Sequence, residues 1–287
     1  MNDFLDFPFA VDFNLTAVDD FFNRWSISWA PFFDGIRTFL RGFVQSIQTV
    51  LNICPWWLLV ALVLLAGWKI SGKWRIGITY AALLVLIGIF GLWDLMNQTL
   101  AIVIAAVIVS LVLGFPIGIL VGSSNKANVI IRPILDAMQT MPTFVYLIPA
   151  VLFFGLGMVP AVIATVIYAI VPVIRLTSHG IRQVDKEVVE AAKAFGSTRR
   201  QMLIKVQIPQ ALPTIMTGVN QTMMMAMSMV VTCSMIGASG LGMEVLIAIN
   251  RIEIGRGIVS GIAVVIIAVL IDRLTQGAVK QDKEQSS

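Results

Sequence analysis

Long apolar runs separated by short polar intervals set the pattern of this chain. Seven runs, at about 51–68, 76–93, 99–121, 138–155, 158–175, 214–236 and 258–274, approach the roughly 20 residues a helix needs to cross a hydrocarbon core. The pattern predicts an all-α, polytopic transmembrane bundle of about seven spans. The fourth run carries Pro142 and Pro149, which predicts a kink whose freed carbonyls are met by neighbouring helices. Ahead of the first run, Phe32, Ile36, Phe39, Leu40, Phe43, Ile47 and Leu51 recur at helical spacing, with Asp34, Arg37, Arg41, Gln45 and Gln48 on the other side. This is the signature of an amphipathic helix lying along a membrane surface, its phenylalanines in the headgroup boundary. Trp25, Trp29, Trp56 and Trp57 suit interfacial anchoring. The organisation expected is a tail with an interfacial helix over 1–50, a transmembrane domain over 51–280 and a polar, frayed tail over 281–287.

Composition narrows the class. Of 287 residues 58% are hydrophobic and 13% charged, with mean hydropathy +0.90, which excludes an ordinary soluble domain. The formal net charge is only +4, so nucleic acid is not an expected partner. Charge placement says more. With the 176–213 interval inside, alternation puts fifteen of the 20 Lys and Arg residues on that side and leaves Arg24, Arg37, Arg41, Arg251 and Arg256 outside. The excess predicts an outside N-terminus and a cytoplasmic C-terminus. Residues Met1 to Asp20 hold five aspartates and no Lys or Arg, unlike a signal peptide. Cys54 and Cys233 lie far apart in apolar surroundings and form no metal or redox spacing.

The interval 176–213 departs most from the lipid-facing remainder. Asp185 to Phe195 reads as a helix, with Val188, Val189, Ala192 and Phe195 apolar and Glu187, Glu190 and Lys193 polar. Gly196 can end it in a left-handed C-cap, Ser197 or Thr198 can cap a second helix through Gln207, and Pro209 ends that helix or turns it into the next span. On periodicity alone this is either a helical connector or a docking element. The order Glu190-Ala191-Ala192, Gly196, then Val206-Gln207-Ile208-Pro209 resembles the Glu-Ala-Ala, Gly, Ile-x-Leu-Pro motif of permease subunits of ATP-binding-cassette importers. Val206 and Ile208 replace Ile and Leu conservatively. The resemblance implies that 185–209 holds the coupling segment, with Glu190, Ala191, Ala192, Phe195, Gly196, Val206, Ile208 and Pro209 as its site residues. Leu135–Pro149, Pro213–Thr222 and Ile271–Gln276 are similar to permeases of the glycine betaine/proline/choline group, so the likeness covers about 95–276. It implies a type I importer fold, a second permease copy, two ATPase subunits that bind ATP and Mg²⁺, an extracytoplasmic solute-binding protein or domain, and a bacterial cytoplasmic-membrane location. No cofactor and no catalytic residue are expected in this chain.

Two further groups are candidates. Gly114, Gly118 and Gly122, with Ser110 a turn earlier, form a small-residue face for close helix approach, within the chain or between copies. The sixth run gathers Asn220, Met224 and Ser228 with many other polar and methionine side chains. That face either lines a translocation path or packs helices through hydrogen bonds. Gly67–Lys73 imitates a phosphate loop, but Trp74 stands where Ser or Thr is required. His179 is the only histidine, which excludes a paired-histidine metal motif. Two other classes stay open: an ion-coupled secondary transporter, disfavoured by the lack of a carboxylate pair within the runs, and a membrane scaffold or receptor.

Overall fold

The computed structural model describes residues 15–285, and among these the chain is helical with no β-strand. It begins with α1 (Leu15–Ser28) and α2 (Ala30–Ile53). Pro55 drives Cys54 into an extended conformation, and α3 (Trp56–Ser71) leaves at 92° to α2. Gly72, at φ 65°, turns the chain into α4 (Trp74–Ile89). The α3–α4 hairpin is tight. A Cβ at Gly77 would lie 2.5 Å from the Leu64 carbonyl oxygen.

The amphipathic segment is the helix its periodicity predicts, but its apolar side faces differently. Leu40 and Val44 are buried, Phe33 stacks on Phe153 at 4.7 Å, and Asn97 donates to Asn52 at 3.0 Å. So α2 lies across the ends of the bundle remote from the 176–213 interval. Only part of its apolar surface, including Phe32 at 57% and Phe39 at 69% exposure, points outward. Part of the expected lipid contact is protein contact. Helix α1 was not anticipated, and its Trp25 meets Phe153 edge-on at 5.2 Å. Of the 1–50 tail, residues 1–14 lie outside the described residues, as do 286 and 287 of the polar tail.

The third run is α5 (Trp93–Ser123). The fourth is not one span. Helix α6 (Asn125–Thr140) stops before Pro142, a 3₁₀ turn follows at Thr143–Tyr146, and the chain bends by 111° before α7 (Leu147–Phe154). The expected kink is a break. Met141 is held extended by the following proline, and the Tyr146 hydroxyl donates to the Met138 carbonyl left open at the end of α6. Helix α8 (Met158–Arg182) carries the fifth run. The interval after it holds α9 (Lys186–Ala194) and α10 (Arg199–Met202), which continues through a π turn at Leu203–Gln207 into α11 (Ile208–Thr232). Helix α12 (Leu241–Arg251), also unanticipated, precedes α13 (Ile254–Gln285), which runs into the segment expected to fray. By length and hydropathy four helical stretches can cross a membrane, or six if each bent pair counts as one. Helix α4, at 16 residues, is short for a crossing of about 20.

The core is the sheet-like row α5–α8–α11. Of the most apolar stretch of α8, 72% is buried within the protein, against 28% for α13. Glycines allow this approach. A Cβ at Gly114 would sit 2.5 Å from Val173, at Gly118 2.7 Å from Thr177, and at Gly122 3.1 Å from Ile181. On the other side of α8, Gly180 meets Ala211 and Thr214, and Gly218 meets Leu176. The glycine face thus packs within the chain. Helix α12 is pinned to the start of α5, where Leu241 N–H donates to Thr99 Oγ1 at 2.9 Å. Its turn into α13 is clamped by Arg256, bonded to Glu244 at 2.7 Å and Glu253 at 3.2 Å.

Gly118→Leu should lower stability by about 1–3 kcal/mol through overpacking against Thr177 and the Ile174 carbonyl. Gly261→Ala, which meets nothing within 4 Å, should stay within about 0.5 kcal/mol of the parent. Thermal unfolding midpoints in detergent compare the two.

Candidate functional site

The interval between α8 and α11 is built as a rigid spur. Asp185 caps α9, its Oδ1 accepting from Glu187 N–H at 2.9 Å. Helix α9 ends in the paired bonds of a Schellman motif, Gly196 N–H to Lys193 O at 2.9 Å and Ser197 N–H to Ala192 O at 3.1 Å. Gly196 sits at φ 77°, a conformation that needs glycine here. Thr198 then opens α10 with a reciprocal capping box to Gln201. Of the two residues the sequence offered as caps, Thr198 takes the role. The π turn lies just ahead of Pro209, whose ring would press on the carbonyl four residues back in a regular helix.

The spur keeps apolar surface uncovered. Phe195 is 91% exposed and Ile204 51%. Val188, Val189, Ala192, Val206 and Ile208 are half-buried, and Ala191 and Pro209 are exposed. Glu190 is exposed, with no ion pair or hydrogen bond among the described residues. The local pairing with Lys or Arg that a basic interval suggests does not form.

At the bundle's flank, α11 and α13 frame a cleft of about 250 Å³. Met224 and Ser228 line it with Met227, Val231, Val264, Ala268 and Asp272. Asn220 is placed differently. Its Nδ2 donates to Asp272 Oδ1 at 3.1 Å and its Oδ1 accepts from Thr275 Oγ1 at 2.7 Å. Gln276 also donates to Asp272 Oδ1, at 2.7 Å. Asp272 is the residue that reading the sequence missed. It stands near the end of its run, and its partner Asn220 lies 52 positions away. A second recess, between α6 and α8, is lined by Arg132, Arg175, His179 and Arg182. There Arg175 pairs with Asp136 at 2.7 Å, while Arg182 bonds the carbonyls of Val121 and Ser124 and so closes the end of α5. Among the described residues no three His, Cys, Asp or Glu side chains group as a metal site.

Residues 114–280, which contain the spur, the cleft and the glycine face, match the family described as binding-protein-dependent transport system inner membrane component. The chain belongs to this family. As a member it is a multi-pass inner-membrane permease component and not an enzyme. Its relatives include the glycine betaine/carnitine transport permease protein GbuB of Listeria monocytogenes, 48% identical over 88% of this chain and 91% of that protein. The glycine betaine transport system permease protein OpuAB of Bacillus subtilis is 45% identical over 94% of this chain and 95% of its own length. ProW of Escherichia coli, a glycine betaine/proline betaine transport system permease protein, is 44% identical over 92% of this chain and 74% of that protein. Among solved structures, the inward-facing methionine ABC transporter MetNI is similar at TM-score 0.58 and 21% identity. That match covers 64% of this chain and 92% of the other, and it supports the type I importer fold.

Gly196→Pro should loosen the spur of this permease, because proline fixes φ near −65° and removes the donor to Lys193. A local loss of about 1.4 kcal/mol raises the open population about tenfold. Tryptic cleavage at Lys193, Arg199 and Arg200 should accelerate accordingly in limited proteolysis, while the unfolding midpoint of the bundle holds.

Proposed function

We propose that this permease is the membrane-spanning subunit of an ATP-driven importer of glycine betaine and related compatible solutes, and that α9 with Gly196 is the element through which an ATPase subunit moves it. One observation carries the coupling role. The motif-bearing spur is capped at its turns, set between α8 and α11, and presents Phe195 almost wholly uncovered. Ile204, 51% exposed, adds to it on the same spur, and an apolar surface left uncovered at more than one position is the mark of a protein-interaction site. The solute class is supported by the named relatives at 44–48% identity.

The assembly proposed contains two copies of this chain, two ATPase subunits that hold ATP and Mg²⁺, and an extracytoplasmic binding protein or domain. The chain itself supplies no nucleotide site or cofactor. The spur faces the cytoplasm with the C-terminus, while α2, α12 and the N-terminal side face outward, as the excess of Lys and Arg on the spur side supports. The binding protein sets solute choice. The Met224–Ser228 face of α11 serves the path, where soft methionine surface gives weak, adaptable contacts. Closure and opening of the ATPase pair shift this permease between outward- and inward-open states, a shift limited by each partner's differential affinity for the two.

Phe195→Ala should weaken association with the ATPase subunit by about 2 kcal/mol or more, roughly thirtyfold in Kd, with the permease's own unfolding midpoint unchanged. Glu190→Lys should lower transport per ATP hydrolysed. Co-purification, solute-stimulated hydrolysis and uptake in reconstituted vesicles read both effects. Normal assembly, hydrolysis and uptake in both variants would reduce the spur to a connector. For orientation, a cysteine at Ile252 should react with an impermeant thiol reagent from outside intact cells, and one at Phe195 only after lysis; the reverse pattern would invert the topology.

A further inference from the structure

Among the described residues, the cleft between α11 and α13 holds a carboxylate without a countercharge. Asp272 is half-buried, and neither it nor the other lining residues carries an ion pair; no lining residue is basic. Both of its hydrogen bonds, from Asn220 and Gln276, go to Oδ1. Oδ2 has no partner among the described residues. Those amide donors hold the group in place without neutralising it. The rest of the wall is methionine and aliphatic, apart from the Ser228 hydroxyl. An acidic side chain with one oxygen left unpartnered is out of place on a surface that simply faces lipid, and marks a water-filled or ligand-bearing space.

We propose that this cleft is a transit site for a quaternary ammonium headgroup, with Asp272 as its counter-ion. The chemistry fits such a cation better than a metal or an ammonium ion. Methyl groups shield its charge, so it gives up little hydration and donates no hydrogen bonds. It asks for a negative charge nearby and soft apolar walls, which Met224, Met227 and Val231 provide. A volume of about 250 Å³ falls just below the range of about 300–1,000 Å³ typical for drug-sized ligands, and so suits a smaller solute. One carboxylate without an aromatic cage gives weak binding. Weak binding is what a path requires, because a solute held tightly would not leave. The identity of the solute rests on the importer reading above; the charge preference of the cleft does not.

The test uses the permease–ATPase complex with its binding protein in vesicles, with Cys54 and Cys233 replaced by alanine. Ser228→Cys is modified with a trimethylammonium-bearing and a sulfonate-bearing methanethiosulfonate. The cationic reagent should react at least about fivefold faster relative to a free-thiol standard, the size of effect a nearby unit charge exerts. Asp272→Asn should abolish that preference, and Asp272→Glu should restore most of it. Asparagine keeps an Oδ1 acceptor for Asn220 and Gln276, so the unfolding midpoint should hold. Millimolar glycine betaine should slow the cationic reaction, and Asp272→Asn alone should cut uptake about tenfold while ATP hydrolysis persists. An equal reagent ratio with and without Asp272 overturns the proposal, whatever uptake does. If the parent complex fails to carry glycine betaine, the importer reading falls, and the reagent ratio still decides whether a cation site exists.

Discussion

Everything in this permease is arranged around the backbone-to-backbone approach of α8 to its two neighbours. In lipid, helices gain nothing from hiding apolar surface, because the solvent is as apolar as they are. What remains is dispersion at short range, and short range requires that side chains be absent. Gly114, Gly118 and Gly122 on α5, Gly180 on α8 itself and Gly218 on α11 supply that absence. The row that results holds much of the buried core among the described residues. Helices α3, α4 and α13 attach around it with far more surface left for lipid or for other chains.

The spur inherits its rigidity from this row. It leaves α8 through a capped aspartate and returns into α11 through a capping box and a π turn. Only the short turns at 183–185 and 195–198 interrupt the helices between the exposed phenylalanine and the packed core. A push on α9 therefore arrives at α8 and α11 together, the second of which carries Met224 and Ser228. The coupling role proposed for the spur rests on this short, capped connection.

Much of this was legible in the sequence, and what was not has physical causes. Hydropathy found the runs because lipid imposes a length on them, and Asp185, Gly196 and Thr198 announced helix ends because caps are local chemistry. The break at Pro142 was visible only as a kink, since a proline does not say whether the chain bends or turns back; tertiary contacts such as Tyr146 to Met138 decide that. Helices α1 and α12 were missed because they are short, with no lipid boundary to stamp a length on them. The face of α2 was misjudged for a related reason. An apolar stripe looks the same whether its destination is a membrane or the end of a bundle. Asp272 escaped because its meaning comes from Asn220, a residue on another helix.

The π turn at Leu203–Gln207 has a geometric consequence of its own. It is one residue more than a regular turn would hold, inserted into what is otherwise a single helical rod from Arg199 to Thr232. Each residue of an α-helix advances the azimuth by about 100°. Closing 203–207 into ordinary α-helix with every residue kept would swivel the spur by roughly that angle against α11. The composition would not change and no packed glycine would be touched, yet Phe195 would point at a different quadrant. The wide turn is thus a phase setting, an angular offset between the exposed face of the spur and the helix that carries Met224 and Ser228.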